Sequence, residues 1–355
     1  MRFSCHTYIL LTATFIIAGC ARGTEQLFPE PEPAYHTPIS WSIDQGSTRA
    51  MTDNDVLKQA CTPTADGTNE TIGVWGDYTV NSGGQNVTYK EFIATPLTYI
   101  PGTFNSWEYP GDARYWELRA TYDFRACYPQ GLMTGLMTQM DATMLQGALN
   151  TSTLQEDILV AATRVDTRSA NLSDPVRLEM KHIFAAIKFN VKAVDGFVPG
   201  TNEGVTSCWL QNKSNETNLF SPAGYLVHRG NDNPEIIWHP YESSSAPMYV
   251  WEHQGVDFYF ENTLYTPNGG LKGEEYTHND GWLLIVPQTV KSGTLQFCYT
   301  LQNAGTQVFS VNIPPITYEH GKKYTYVLEI RGSETELKLS IAPWNHLESS
   351  YDITI

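Results

Sequence analysis

The chain has little positive charge and few long apolar runs. Its 355 residues include 22 lysines and arginines against 38 aspartates and glutamates, a formal net charge of -16. Such a surface repels the phosphate backbone of a nucleic acid, so we expect no nucleic-acid partner. Beyond Cys20 no apolar run approaches the ~20 residues that a membrane-spanning helix needs. We therefore expect the remainder of the chain to fold outside the bilayer.

Motifs of the common enzyme classes are also missing. The sequence contains no GxSxG, no HExxH, no phosphate-binding glycine loop and no paired cysteines at metal-ligand spacing. We therefore predict that the chain is not an enzyme and has no catalytic residue, metal or cofactor. Cysteine in strand-like apolar runs behaves as a small hydrophobe, so we expect buried free thiols rather than disulfides. This expectation covers Cys61, Cys127, Cys208 and Cys298.

The N-terminal segment has the pattern of a bacterial export signal. Arg2 precedes an apolar run over residues 8–18, which suits a signal-peptide core and is too short to span a bilayer. The run ends in Ile17-Ala18-Gly19-Cys20, which resembles the lipobox of bacterial lipoproteins, with isoleucine where leucine is usual. We predict that residues 1–19 are a signal peptide and that acylated Cys20 anchors the protein to the outer membrane.

Residues 20–49 have the pattern of a tether followed by one strand. A proline-rich stretch keeps the tether extended. The strand that follows has apolar residues in alternation with polar ones, the period of a strand with one buried face: Ile39, Trp41 and Ile43. Next comes Ser47-Thr48-Arg49-Ala50, a small polar loop in which a trypsin-like protease can reach Arg49.

From about residue 71 onward, short β patterns alternate with Gly, Asn and Pro turns, which is typical of an all-β sandwich. At roughly 150 residues per domain, the chain beyond the signal predicts two domains. Apolar positions switch from even to odd numbers between Met180 and Ala185, and this phase slip requires a bulge or a break. We place the boundary there, with an N-terminal sandwich at 50–184 and a C-terminal sandwich with long loops at 185–355.

Three segments need separate interpretation. Apolar residues recur at intervals of three and four from Met133 to Leu145, which predicts a weak, glycine-interrupted helix. His182 falls on the inward face at the phase slip, where we expect a hydrogen-bonded structural histidine. Residues 195–280 are rich in turn residues, and we expect these loops to carry recognition.

A series of short motifs follows one order along the chain. They are Gly73-Val74-Trp75-Gly76, Tyr122-Asp123-Phe124-Arg125-Ala126, Asp157-Ile158-Leu159-Val160-Ala161, Lys181-His182-Ile183-Phe184-Ala185, Ile285-Val286-Pro287-Gln288, Gly321-Lys322-Lys323-Tyr324-Thr325-Tyr326 and Pro343-Trp344. Each motif is weak alone. Their order and spacing, together with the lipobox, the first strand and the arginine loop, resemble those of the fimbrillins of type V pili, in the minor, Mfa-like lipoprotein branch.

This resemblance implies two tandem transthyretin-like β-sandwich domains in a structural or adhesive subunit of a pilus. It also implies export as a lipoprotein, cleavage between Arg49 and Ala50 by an arginine-specific surface protease, and polymerisation with other pilus subunits by donor-strand exchange. The strand of Ile39, Trp41 and Ile43 would then be the removable one. The protein would stand on the cell surface in a fimbrium, where a host ligand is a further expected partner.

The chain closes on a second alternating segment, Tyr351-Asp352-Ile353-Thr354-Ile355. Its apolar residues Tyr351, Ile353 and Ile355 have the same period as the removable strand, so we predict that they fill the vacated groove of a neighbouring subunit. The competing interpretation is that the segment is the last strand of its own sandwich. The short distance from Trp344 favours that alternative.

A different interpretation of the whole chain is a stand-alone surface lipoprotein that binds host or dietary glycans through aromatic-rich loops. Aromatic residues make up 12% of the sequence. Tryptophans in such loops can offer flat apolar faces to sugars: Trp209, Trp238, Trp251 and Trp282. Two sandwich cores also need many aromatic side chains, which favours the pilus subunit.

We predict that radiolabelled palmitate is incorporated into the wild-type protein and not into Cys20→Ala, because only the lipobox thiol is acylated. Cys61→Ala is the matched control and should be labelled like the wild type. Label that persists in Cys20→Ala would show that this cysteine does not carry the lipid.

Overall fold

A computed structural model describes most of the chain. The described residues are 37–44, 54–102, 105–193, 205–212, 221–241, 248–252, 282–291, 295–301, 307–331, 334–343 and 352–353. Within them, strands greatly outnumber helices, and no helix is both long and apolar enough to span a membrane.

The described elements before residue 184 are mostly strands, with two seven-residue helices among them. They are β1 (Trp41–Asp44), α1 (Asn54–Ala60), β2 (Ile72–Ser82), β3 (Gln85–Ile100), β4 (Ser106–Glu108), β5 (Ala120–Tyr128), α2 (Gln130–Leu136), β6 (Met137–Met140), β7 (Met144–Asn150), β8 (Leu159–Asp166), β9 (Val176–Glu179) and β10 (Lys181–His182).

The described elements after residue 184 are all strands. They are β11 (Ala185–Ala193), β12 (Val205–Asn212), β13 (Ala223–Arg229), β14 (Glu235–Pro240), β15 (Met248–Glu252), β16 (Leu283–Ile285), β17 (Gln288–Val290), β18 (Leu295–Leu301), β19 (Gln307–Asn312), β20 (Ile316–Tyr318), β21 (Lys322–Arg331), β22 (Glu334–Pro343) and β23 (Asp352–Ile353). The prediction of an all-β, sandwich-like fold is confirmed.

The largest sheet has eight strands in the order β10-β8-β5-β2-β3-β4-β1-β9. Its longest strand, β3, pairs first with β2 and then, from Thr98 to Ile100, with β4. The β2–β3 hairpin closes on Gly83 and Gly84, with φ of 61° and 83°. A two-residue turn with two positive φ angles matches the twist of the flanking strands and favours glycine. This long hairpin connects the part of the sheet around β5 to the part that holds β1.

The other sheets are β16-β11-β21-β22-β23, β15-β12-β18-β19, β14-β13-β7-β6 and β17-β20. The third of these joins β7 to β13 along the register Asn150↔Ala223 to Met144↔Arg229. Strands from both sides of Phe184 therefore share one sheet, and the domain boundary that we placed there stays a prediction.

The predicted helix over residues 133–145 is wrong beyond Leu136. The carboxylate of Asp141 accepts hydrogen bonds from the backbone N–H groups of Thr143 and Met144, both at 2.8 Å. Asp141 thus forms an Asx-turn, whose hydrogen bonds compete with those of a helix. This turn connects β6 to β7. A Cβ at Gly147 would lie 2.7 Å from the carbonyl oxygen of Leu136, so glycine lets these segments approach closely.

The predicted break after Met180 is confirmed, because β9, β10 and β11 are separate strands. His182 is a buried structural histidine, as predicted. Its Nδ1 lies 3.0 Å from a carboxylate oxygen of Asp157. The two sides of the phase slip also belong to different core clusters: Met180 packs in the cluster around Trp41, whereas Ile183 and Phe184 pack in the cluster beside β7 and β13.

Arg125 on β5 joins the large sheet to the β13–β14 hairpin. The side chain is completely buried. Its guanidinium donates to Nδ1 of His228 at 2.8 Å and to Oδ1 of Asn231 at 2.6 Å. It also donates to the carbonyl oxygens of His228, Thr143 and Gly230. Since arginine can only donate, Nδ1 of His228 must be an acceptor, and burial followed by the Arg125 charge holds the pKa of His228 well below its usual range.

We expect Arg125→Met to lower the free energy of unfolding by about 3–5 kcal/mol, because it leaves His228 Nδ1 and Asn231 Oδ1 buried without a donor. Arg168 forms its ion pair with Asp166 on the surface, so Arg168→Met is the matched control and should keep the wild-type urea midpoint. Tryptophan fluorescence during urea unfolding measures both. Equal midpoints for the two variants would show that the buried network does not stabilise the fold.

Candidate functional site

The predicted removable strand is an internal strand of the largest sheet. β1 pairs antiparallel with β4 through Trp41↔Trp107 and parallel with β9 from Trp41↔Val176 to Asp44↔Glu179. The backbone N–H of Val176 donates to the carbonyl oxygen of Ser40 at 2.8 Å. At the other end of the strand, the N–H of Met180 donates to the carbonyl oxygen of Asp44 at 2.7 Å. β1 therefore completes the ladders of two neighbours that do not pair with each other.

The apolar residues of this strand face the core. Ile39, Trp41 and Ile43 expose only 2%, 5% and 7% of their surface, whereas Ser40 between them is exposed. This is the period-two alternation that the sequence predicts for a strand with one buried face. Burial of a tryptophan side chain, about 200 Å² at ~25 cal/mol per Å², contributes up to ~5 kcal/mol. The strand is thus bound by apolar packing as well as by its ladders.

Trp41 lies at the centre of an aromatic cluster. Its ring centroid is 5.2 Å from Phe92 and 5.1 Å from Phe124, with the rings nearly perpendicular in both cases. Phe124 also contacts Trp116 and Tyr122 in the same core. Edge-to-face packing of this kind adds about 0.5–1.5 kcal/mol per pair beyond burial. Removal of β1 would therefore expose the rings of Phe92 and Phe124.

One feature of Trp41 opposes this stability. Its Nε1 is buried and has no hydrogen-bond partner within the described part of the chain. A buried donor left unpaired costs about 1–3 kcal/mol. The ion pair between Asp44 and Arg177, at 2.6 Å, contributes little to the stability of β1, because the Arg177 side chain is 67% exposed. β1 is therefore tightly packed, but it carries one buried hydrogen-bond donor without a partner among the described residues.

Other predicted site residues lie largely outside the described residues. This applies to Cys20, Arg49, Ala50, Tyr351 and Ile355. Ile353 is described: it belongs to β23 and pairs with Leu339 of β22 at the edge of the five-stranded sheet. In the strand order, β23 is the edge strand of this sheet. Its assignment as a donor strand stays a prediction.

Two tryptophans considered for sugar binding are packed against core residues. Trp238 donates from Nε1 to the carbonyl oxygen of Ile183 at 2.8 Å, and its ring lies 5.6 Å from that of Phe184. Trp282 is 7% exposed, and the ammonium of Lys323 lies 4.8 Å from its ring centroid. The side chains of Trp209 and Trp251 lie outside the described residues. The two described rings therefore contribute to packing.

Cys61 and Cys127 are buried free thiols, as predicted. Burial, with a smaller effect from Glu70, raises the pKa of Cys61 to about 12, and burial raises that of Cys127 as well. Thiols held in the protonated state are poor nucleophiles. Among the residues described, no group of three or more His, Cys, Asp or Glu side chains is arranged to hold a metal ion.

Sequence reasoning missed β4, one of the two strands that pair with β1. β9 follows from the alternation of Val176 and Leu178, but β4 consists of only Ser106, Trp107 and Glu108. Three residues are too few to define a period. The sequence signal that remains is Trp107 itself, a large apolar residue between two polar ones.

The comparisons with known proteins agree with this architecture. The profile of the fimbrillin-like family matches residues 48–344. A fimbrial protein from Bacteroides vulgatus has a TM-score of 0.57 and 16% identity, over 86% of this chain and 99% of that one. A putative cell adhesion protein from Bacteroides uniformis has a TM-score of 0.49 and 15% identity, over 86% and 98%. Among curated protein sequences, no match is found.

We expect Trp41→Ala to lower the free energy of unfolding by about 3–5 kcal/mol, because it opens a cavity between Phe92 and Phe124. Trp41→Phe should stay within about 1 kcal/mol of the wild type, since it keeps a ring and removes the unpaired N–H. Ile93, which is 66% exposed, gives the control Ile93→Ala. Far-UV circular dichroism during urea unfolding measures all three, and equal effects of the two Ala variants would contradict the role of Trp41.

Proposed function

Because the chain belongs to the fimbrillin-like family and is thus a subunit of a pilus or an adhesin at the cell surface, we propose that it assembles by donor-strand exchange. In this proposal it is exported as a lipoprotein, anchored to the outer membrane through Cys20 and cut after Arg49 by an arginine-specific surface protease. A strand of another subunit then takes the place of β1. The family is one of fimbrial and adhesion proteins rather than enzymes.

The observation that carries the proposal is the position of β1 relative to Arg49. β1 lies between β4 and β9 inside the sheet, yet it ends at Asp44. A cut after Arg49 breaks the covalent connection between this strand and all elements from α1 onward. From then on, hydrogen bonds and apolar contacts alone would hold β1, and a strand of a second subunit can compete for the same place.

The groove left by β1 would strongly favour binding of another strand. It would expose two open strand edges, on β4 and β9, and an apolar floor that includes Phe92 and Phe124. Unpaired edges next to apolar surface readily accept a strand from another chain. An incoming strand needs alternating apolar residues to fill the pockets of Ile39, Trp41 and Ile43.

The segment Tyr351-Asp352-Ile353-Thr354-Ile355 has this alternation. Within its own chain, Asp352 and Ile353 pair with β22 at the edge of the five-stranded sheet. An edge strand has one neighbouring strand, whereas a strand in the groove would pair with both β4 and β9. We therefore propose Tyr351, Ile353 and Ile355 as the inward-facing residues of the donor strand.

We expect the purified wild-type protein to form a ladder of polymers on a semi-denaturing gel after arginine-specific proteolysis. Arg49→Gln should remain monomeric because β1 stays covalently attached. Deletion of residues 351–355 should leave the melting temperature of the uncut monomer unchanged and abolish the ladder. Arg168→Gln, at an exposed arginine outside the groove, is the matched control and should polymerise.

Each part of the proposal has its own contradicting result. A ladder from Arg49→Gln would place the cleavage elsewhere. A lower melting temperature of the uncut deletion variant would show that the C-terminal segment belongs to its own sandwich. Absence of a ladder from fully cleaved wild type would reject strand exchange between copies of this chain.

A further inference from the structure

A basic pocket lies beside β10 and the β13–β14 hairpin. Its volume is about 540 Å³, within the range of small-molecule sites. Three separate segments line it: Lys181 from β10, Arg229 and the residues that follow it from the β13–β14 hairpin, and His320 from the β20–β21 turn. The lining residues are Lys181, Arg229, Pro234, Glu235, Ile236, Ile237 and His320.

The local charge of this pocket has the opposite sign to the whole chain. Lys181 is exposed and has no carboxylate within ion-pair distance among the described residues. Arg229 donates from Nε to Oε2 of Glu235 at 3.2 Å. Burial has the largest effect on His320 and lowers its pKa, which favours the neutral ring. Next to the pocket, Glu319 is paired with Lys322. The excess is about one positive charge on a chain of net charge -16.

One unit of positive charge suits a single carboxylate better than a dianionic phosphate. The guanidinium of Arg229 can take a carboxylate on the N–H groups that it does not use toward Glu235, and Lys181 supplies a second cation. Glu235 uses one carboxylate oxygen for Arg229, and the other can accept hydrogen bonds from hydroxyl groups. Pro234, Ile236 and Ile237 provide apolar lining for the C–H face of a ring.

We propose that this pocket binds an acidic monosaccharide, a hydroxylated ring with one carboxylate, as in uronic and sialic acids. Lys181 and Arg229 hold the carboxylate, and Glu235 receives ring hydroxyls. The pocket is complete in the uncut monomer, so this proposal is independent of strand exchange. The part of its lining that comes from the β13–β14 hairpin lies within the segment 195–280 that we expect to carry recognition, but the chemistry of the pocket is ionic rather than aromatic.

Saturation-transfer NMR and calorimetry on the uncut protein test the proposal with methyl glucuronide, its neutral counterpart methyl glucoside, and acetate. We expect binding in the order glucuronide, acetate, glucoside, because glucoside lacks the charge and acetate lacks the hydroxyls. Lys181→Gln and Arg229→Gln should each weaken glucuronide binding by about tenfold or more, the effect of losing one charge-assisted hydrogen bond. Added salt should weaken it too.

Lys322→Gln is the matched control, since Lys322 is a neighbouring surface lysine paired with Glu319 outside the pocket lining. It should bind like the wild type. Three results would overturn the proposal: no glucuronide binding, equal binding of glucuronide and acetate, or equal losses in Lys322→Gln and Lys181→Gln. Tighter binding of a short glutamate peptide than of N-acetylneuraminic acid and glucuronide would replace the sugar by an acidic peptide as the occupant.

Discussion

The fold of the large sheet depends on the burial of one short strand. Among the described strands, β1 is the one that lies between β4 and β9, and Trp41 fills the space between Phe92 and Phe124. A strand of four residues thus connects parts of the sheet that are far apart in the sequence. Because its ladders and pockets are defined by other parts of the chain, a different strand of the same alternation can satisfy them. This separation between groove and occupant is what makes strand exchange physically reasonable here.

A second constraint keeps the rest of the chain in place around that groove. Arg125 holds the turn after β13 through buried hydrogen bonds, and Arg164 holds the same turn from outside through Asp232 while it pairs with Asp123 on β5. The floor of the groove and the hairpin beside the basic pocket therefore rest on the same strand. β5 presents Phe124 to the groove and Arg125 to the hairpin, on its two faces.

Local periodicity was sufficient for some of this architecture. The burial of Trp41, the break after Met180 and the structural role of His182 all follow from alternation within a few residues. The role of Arg125 does not, because an arginine next to Phe124 has the pattern of an outward-facing residue. It is buried by a hairpin that starts about a hundred positions further along the chain, and its partner His228 is 103 residues away. Contacts of that range leave no period in the sequence.

The groove and the pocket are adjacent along the backbone. The N–H of Met180, a residue that is 2% exposed, donates to the last carbonyl of β1, and Lys181 lines the pocket. A strand that replaces β1 must therefore offer an acceptor to this N–H, since a buried donor without a partner is costly. An incoming strand without such an acceptor would leave this N–H unpaired, at a cost of about 1–3 kcal/mol. The residue that binds the end of β1 is thus the direct chain neighbour of a cation that lines the pocket.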